Sequence, residues 1–523
     1  MVTLTVDGVE VSVAPGTPVI EAAARAGVSV PHYCYHPGIP TRPAQCRMCL
    51  VEVEGQPKLQ PSCVLASGDG MVIHTTSEAA EEARKSVIEF LLLNHPLDCP
   101  ICDAAGQCNL QDYAFETGQL ESRFRDEKLV LGRDRVADDI LYFGDRCIIC
   151  TRCVRFMSDV AGDESLIVAQ RGHRAYIDTF PGRDLDNAFR GNIVDVCPVG
   201  ALVHEDFLFK ARAWDLDRAP SVCTGCSTGC NVTLDVKENQ IVRLKPRYNP
   251  DVNSYWMCDH GRKHLVMSNR GVRAEVPLVR DGDRLVATTW EGALERAAAA
   301  LESANGGSAV VSAHASNESL FFFRSLLDRA GITGGSFRVD QGDTATLAGF
   351  PKLQLRADRA PNASGAEKLG FLRADGWADD RASSSGGSLL VLEDALIDAP
   401  EELADGRSFF LFLGSRLSPL ARRADVILPI ATFAEMDGTF ANFEGRVQRF
   451  QQALRPPGMA RPGWMALSAL LARMGEGETV TEARDAFAAL ATAVPVFEGL
   501  EWDAIGFRGV GLEEGAAAVG EGA

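Results

Sequence analysis

The sequence predicts a multidomain chain of mixed α+β and α/β class, with its reactive residues and its bulk scaffold in different halves. Three observations carry this. All 15 cysteines lie before residue 259. The chain opens on two short alternating segments around an Asp-Gly pair, which reads as a hairpin. From about residue 274 onward it becomes rich in Ala, Gly, Leu and Arg, with apolar runs of buried-strand length such as Ser408 to Leu413 and Val426 to Ala431. At 523 residues and 46% hydrophobic content there is material for three to five cores.

The opening is ubiquitin-like, of β-grasp type. Val2 to Val6 and Val9 to Val13 alternate as strands around a type I' turn at Asp7-Gly8, and a helix should follow with Thr17 as N-cap, Pro18 first and Gly27 at its end. Cys34, Cys46, Cys49 and Cys63 come next, in the loop-like string HYCYHPGIPTRPAQCRMCLVEVEG and beyond it. Thiolates on such a loop suit a 2Fe-2S cluster whose sulfides accept backbone N–H groups. A structural zinc loop is the alternative, but zinc usually takes two paired knuckles and this set has one.

Ser77 to Asn94 reads as an amphipathic helix with Val87, Ile88, Leu91 and Leu92 on its apolar side. It delivers His95, Cys99, Cys102 and Cys108 in NHPLDCPICDAAGQC. A His before Pro is often an ordinary loop residue, yet without it this set lacks a fourth donor. A neutral imidazole in place of a thiolate makes the cluster one unit less negative and raises its potential. Cys147, Cys150 and Cys153 then show the Cys-x2-Cys-x2-Cys spacing of bacterial ferredoxins, where three thiolates on one tight loop hold a cubane. Those ferredoxins place another cysteine where this chain has Met157, and the remote Cys197-Pro198 supplies the fourth ligand instead. A zinc knuckle is the competing structure.

The last set, Cys223, Cys226, Cys230 and Cys258, resembles the N-terminal 4Fe-4S domain of the molybdopterin oxidoreductases, and NVTLDVKENQIVRLKP between its ligands fits a small hairpin. Fifteen cysteines plus His95 thus divide into four sets of four with none left over. An odd count excludes a complete disulfide framework, and MVTLTVDGVEV has neither a charged nor an apolar signal region, so a reducing cytoplasm is expected. A balance of 52 Lys+Arg against 71 Asp+Glu, formal charge -19, argues against nucleic acid and anionic lipid as partners. No apolar run is long enough to span a bilayer.

In this order, the four sets resemble the G-subunit family of NADH-quinone oxidoreductase, the 75-kDa-type iron-sulfur subunits of respiratory complex I, in a shortened bacterial form. The string ADVILPIATFAEMDGTFANFEGRVQRF is similar to the segment that ends the fold of molybdopterin enzymes. The resemblance implies a 2Fe-2S ferredoxin-type domain over residues 1–78, a 4Fe-4S domain with one histidine and three cysteine ligands over 79–138, and a ferredoxin-like 4Fe-4S domain over 139–216. A molybdopterin-oxidoreductase-type 4Fe-4S domain over 217–273 and a shortened α/β scaffold without a molybdenum site over 274–523 complete it. It implies one 2Fe-2S and three 4Fe-4S clusters, an FMN/NADH-binding partner on one side, quinone-side iron-sulfur subunits on the other, and a peripheral position on the cytoplasmic side of the inner membrane. The fourth cluster is implied to lie off the main route.

Molybdenum chemistry is not expected. Cys258 is followed by Asp259, His260, Gly261 and Arg262, so the Lys that molybdenum members carry there is missing, and the later chain is short for a pterin fold. Neither FMN nor NAD is expected on this chain: no G-x-G-x-x-G follows a strand, and Gly509, Gly511 and Gly515 have the wrong spacing. There is no catalytic residue to assign. Arg47, Arg146, Arg152 and Arg155 stand beside ligands, where they either raise cluster potentials or make surface salt bridges and partner contacts. Ser383 to Ser388 reads as a linker and the tail from Gly511 as disordered. Two other assignments share these motifs: a molybdenum formate dehydrogenase subunit, which would contain molybdenum, and the diaphorase subunit of an NAD-linked hydrogenase. A third makes the second half an assembly module with a remnant cluster.

Overall fold

A computed structural model describes residues 1–118, 121–264, 272–303, 306–376, 386–392 and 399–512. Contacts divide the chain into two units, Met1–Leu216 with Leu347–Pro351, and Asp217–Thr346 with Lys352–Ala523.

The first unit begins with the expected hairpin, Val2–Val6 antiparallel to Val9–Val13. Asp7 and Gly8 have φ of 46° and 83°, the two left-handed residues of a type I' turn. Val72–His74 pairs parallel to the first strand, and Leu50–Val53 and Gln60–Pro61 extend the sheet to five strands. The helix Val19–Arg25 covers it, burying Val19, Ile20, Ala22 and Ala23. Its start differs from the sequence reading by one residue: Pro18, extended at φ -62°, ψ 145°, is the N-cap, and no side chain caps the end. The N–H groups of Val19 and Ile20, which a Thr17 cap would serve, donate instead to the Leu65 and Ser62 carbonyls at 2.8 and 3.0 Å. Gly27 follows in the left-handed conformation, φ 79°.

The second helix runs over Glu78–Leu92, with Ser77 Oγ accepting from Ala80 N at 3.3 Å. Its buried side differs from the expected one. Ala80, Arg84 and Ile88 are buried, while Val87, Leu91 and Leu92 are only half covered. Arg84 reaches the Leu50 carbonyl at 3.3 Å, which makes a buried arginine tolerable on a face that periodicity assigns to apolar residues. Arg133–Ala137, Ile140–Phe143 and Leu202–His204 form a three-stranded sheet, and the helix Arg152–Arg155 continues into the wider turns of Phe156–Ala161.

In the second unit the predicted hairpin is Asn231–Lys237 with Gln240–Pro246, joined by the left-handed pair Glu238 and Asn239. A third strand, Asp217–Val222, flanks it. An eight-stranded sheet dominates, in the spatial order Arg284–Ala287, Leu278–Asp281, Val426–Pro429, Phe409–Gly414, Ser388–Leu392, Gly307–Ser312, Ser336–Arg338, Leu372–Arg373. The six strands after the edge hairpin are parallel. Buried on both faces, the central strands read as unbroken apolar runs. Leu390, Leu392, Leu411 and Leu413 enter one core, and Leu389, Val391, Phe410 and Phe412 the other. The expected linker at Ser383 to Ser388 lies partly outside the described residues, and Ser388 itself opens a buried strand. The tail beyond residue 512 is also outside them.

Candidate metal centres

Cys34, Cys46 and Cys49 lie on an irregular loop, turned by left-handed Ala44 (φ 53°) and Arg47 (φ 57°) on either side of Cys46. Cys63 joins them because Ser62 donates to the Cys49 carbonyl through both its N–H (3.0 Å) and its hydroxyl (2.8 Å). The four thiols share protons. Bonds from Cys46 and Cys63 hold Cys34 below the ordinary thiol range, the same bonds push Cys46 and Cys63 up, and Cys49 is lowered to about 7, first by Cys63. Three of the four are buried and Cys46 is half-buried.

His95 follows the second helix on a loop tied down at both ends. Lys128 Nζ donates to the Leu92 and Leu93 carbonyls at 2.8 and 3.0 Å, and Arg146 pairs with Asp98 at 2.8 Å. Burial, then the charges of Lys128 and Arg146, lower the imidazole to about 4, so it is neutral at pH 7, as a metal ligand must be. Its Nδ1 is buried without a hydrogen-bond partner. Cys102 and Cys108 are buried and pushed up by that burial, Cys108 to about 11, whereas Cys99 is exposed. Cys102 feels the charge of Cys99 and of Arg146, the residue that also bears on His95, and Cys108 feels Cys102. Gly200 closes this site. A Cβ there would stand 2.2 Å from Cys102 Sγ.

Cys147, Cys150, Cys153 and Cys197 line one small, almost wholly apolar pocket, walled by Tyr142, Ile148, Ile177, Val199 and Leu202 among others. The loop between them is wound tightly by left-handed Ile149 (φ 50°) and Thr151 (φ 60°). For β-branched residues this backbone costs about 1–3 kcal/mol each, which the surroundings must offset. Ile149 N–H donates back to Cys147 Sγ at 3.4 Å, and Cys197 accepts from the N–H groups of Val199, Leu202 and Ala201. Burial pushes Cys147 to about 11 and Cys150 to about 12, and raises Cys153 and Cys197. Met157, where a second cubane would have its ligand, is fully buried in apolar packing.

These three sets are neighbours within the first unit. Buried Tyr33, edge-on to Tyr113 at 5.4 Å, senses both Cys46 and Cys108. Cys108 senses Cys197, and Asn109 N–H donates to the Pro198 carbonyl at 3.1 Å.

In the second unit, Cys223, Cys226 and Cys230 occupy the loop between the strands Asp217–Val222 and Asn231–Lys237, and Cys258 precedes the helix Asp259–His264. All four are buried. Cys223 N–H donates to the Cys230 carbonyl at 2.8 Å. Gln448 Nε2 holds the Gly229 carbonyl at 2.9 Å and Asn231 Oδ1 at 3.0 Å, and Asn253 Oδ1 accepts from Asn231 N–H at 3.0 Å. Desolvation pushes Cys223 and Cys258 up, the latter to about 12. A Cβ on Gly261 would stand 2.7 Å from Cys223 Sγ and 3.8 Å from Cys258 Sγ.

The donor sets fit iron-sulfur clusters. They consist of soft thiols with one neutral imidazole, most of them are buried where several negative charges without cations would be prohibitive, and two of the sets are backed by glycines that leave no room for a side chain. Sequence reading did not single out Gly200 or Tyr33. Gly200 follows Cys197-Pro198 closely enough to have been suspected, whereas nothing local marks Tyr33.

Family models match the chain in the same order. A 2Fe-2S iron-sulfur cluster binding domain matches residues 1–78, an NADH-ubiquinone oxidoreductase-G iron-sulfur binding region 84–123, and the ferredoxin-like domain of NADH-quinone oxidoreductase subunit 3 matches 139–203. The molybdopterin oxidoreductase Fe4S4 domain matches 216–269 and molybdopterin oxidoreductase 273–369 with 396–473. The mitochondrial NADH-ubiquinone oxidoreductase 78 kDa subunit of Candida albicans is 31% identical over 595 residues, covering 90% of this chain and 82% of that one. The chain belongs to the G-subunit family of NADH-quinone oxidoreductase. The G subunit of Rickettsia bellii is 37% identical over 68% of this chain, and that of Mycobacterium bovis 41% identical over 60%. The chain spans about half the length of the Rickettsia G subunit it matches, 54%. A crystal structure of an NAD+-reducing [NiFe]-hydrogenase in the H2-reduced state aligns at 32% identity over 40% of this chain and 90% of that one, with a TM-score of 0.37, too partial to bear on the fold. Among the described residues, no helix of this family member is long and apolar enough to cross a membrane.

Proposed function

We propose that this member of the G-subunit family holds one 2Fe-2S cluster on Cys34, Cys46, Cys49 and Cys63, and three 4Fe-4S clusters. The latter are assigned to His95 with Cys99, Cys102 and Cys108; to Cys147, Cys150, Cys153 and Cys197; and to Cys223, Cys226, Cys230 and Cys258. Its function is to relay electrons within an NADH-quinone oxidoreductase, from an FMN/NADH-binding partner toward quinone-side iron-sulfur subunits, without a substrate-transforming site of its own. It sits peripherally on the cytoplasmic side of the inner membrane, held by those partners, and its five segments fold with the boundaries given above.

The observation that supports this reading is the adjacency of the first three donor sets, joined through Tyr33, Cys108 and Cys197 in one unit. Bound clusters supply one-electron redox chemistry. The chain's own residues do the rest. Thiolates and His95 fix position and total charge, N–H groups aimed at Cys147 and Cys197 spread negative charge, and the apolar walls around Cys150 and Cys153 keep water out. The fourth set is given no step in the relay.

Anaerobic purification with iron, sulfide and molybdenum quantitation and low-temperature EPR tests this. About fourteen irons per chain, with matching sulfide and no stoichiometric molybdenum, are expected. Zinc in place of acid-labile sulfide would overturn the assignment, and stoichiometric molybdenum would favour a formate dehydrogenase subunit.

A further inference from the structure

The short helix Arg152–Arg155 carries Cys153 between two arginines spaced i, i+3. Both reach out of the third donor set's loop into the first. Arg152 is buried and donates to the Val196 carbonyl at 3.3 Å, next to Cys197, and to the Tyr35 carbonyl, next to Cys34. Arg155 is half-buried and donates to the Thr41 carbonyl at 2.6 Å, to the carbonyl of Cys34 itself, and to Thr151 Oγ1 at 3.2 Å. Their acceptors are neutral. Among the described residues neither guanidinium is ion-paired with a carboxylate. Asp159, the acidic group that bears on Arg155, accepts at Oδ2 from Thr41, and Arg152 Nε has no partner.

A buried cation without a counter-ion is strongly disfavoured unless another anion faces it. The anionic candidates around Arg152 are Cys150 and Cys197 of one set and Cys34 and Cys46 of the other, and around Arg155 they are Cys34, Cys150 and Cys153 together with Asp159. The surface-salt-bridge alternative raised by the sequence therefore does not describe these two residues. It does not describe Arg146 either, which is buried, but Arg146 has Asp98 as its partner.

We propose that Arg152, assisted by Arg155, is a shared positioning residue for two redox centres, its fixed charge favouring the reduced form of both the first and the third cluster. This rests on the cluster assignment above. The more negative state gains more from a nearby cation, so loss of the charge lowers both potentials.

The test is an EPR-monitored redox titration of the full chain, purified anaerobically with its clusters. In Arg152→Gln the oxidised-to-reduced ratio of both centres at fixed potential rises at least tenfold, a downward shift of about 59 mV or more for a one-electron couple. The centre on Cys223 and its partners keeps its potential. Arg152→Lys, which keeps the charge but loses the fork, stays near wild type. An unmoved pair of potentials in Arg152→Gln, a shift in only one of them, or an equal shift in Arg152→Lys overturns the proposal. Should Arg152→Gln not take up its clusters, Arg155→Gln is read instead, and a downward shift of the same two centres is required. If the wild type lacks the clusters, the functional assignment and this inference fall together; if it is loaded and the potentials do not move, only this inference falls.

Discussion

Gly200→Ala isolates the second donor set. Gly200 is not in the left-handed region, so the backbone accepts alanine and only space is at issue. The new methyl group would lie 2.2 Å from Cys102 Sγ and 3.2 Å from Ala104 Cβ. Carbon atoms in contact sit about 3.5–4.0 Å apart, so the sulfur must retreat by more than about 1 Å. Metal-ligand distances hold within about 0.2 Å, which a displacement of that size exceeds several-fold, while the overpacking itself costs about 1–3 kcal/mol, too little to unfold the unit. The protein should therefore fold and lose one cluster. Iron falls by about four of about fourteen, sulfide falls in step, and the 2Fe-2S EPR signal persists. Gly261→Ala, whose methyl would meet Cys223 Sγ at 2.7 Å, is the matched case and removes the second unit's cluster instead. Full iron content and an unchanged set of EPR signals in Gly200→Ala would refute the placement of Cys102 as a ligand.

Three other perturbations address different parts of the chain. His95→Cys adds one negative charge to the second cluster's ligand set, so that centre should titrate at a lower potential while keeping about the same iron; an unchanged or raised potential would argue against ligation by His95. Glu318 is buried beneath Thr439, which donates to it through N–H and hydroxyl, and burial raises its carboxyl to about 6 from an ordinary 4.5. The folded state holds that proton more tightly. The contribution, about 2 kcal/mol, is full below pH 4.5 and lost as pH rises through 6, and urea titrations of Glu318→Gln should show this slope abolished. Arg273 grips Glu435 with two bonds of 2.6 and 2.7 Å, so Arg273→Ala leaves a buried carboxylate with little more than the Thr432 N–H. Denaturant unfolding should register a loss of about 3–5 kcal/mol, and a change below about 1 kcal/mol would show the pair to be solvated.

Much of the candidate chemistry is legible in sequence because its signals are short-range. Cys-x2-Cys spacing, the Asp7-Gly8 turn and the apolar runs at Phe409–Gly414 and Val426–Pro429 each depend on neighbouring residues and on backbone preferences that act over a few positions. The cap at Pro18 and the buried Arg84 were not legible, since carbonyls distant in sequence decide both: Leu65 and Ser62 take the first helical N–H groups, and Leu50 takes the guanidinium.

The sequence alone marked sixteen candidate donors in four sets of four and the division between a cysteine-bearing half and a scaffold, because spacing motifs and hydrophobic period are properties of residue type and order. Only the tertiary structure decided that Gly200 backs Cys102, that Tyr33 stands beside two thiol sets, and that Arg152 joins Tyr35 to Val196. It also set the hairpin Leu278–Ala287 on the edge of the parallel sheet. Most of those contacts join residues tens to more than a hundred positions apart, where no local preference can encode which partner arrives, and packing of the whole core selects it.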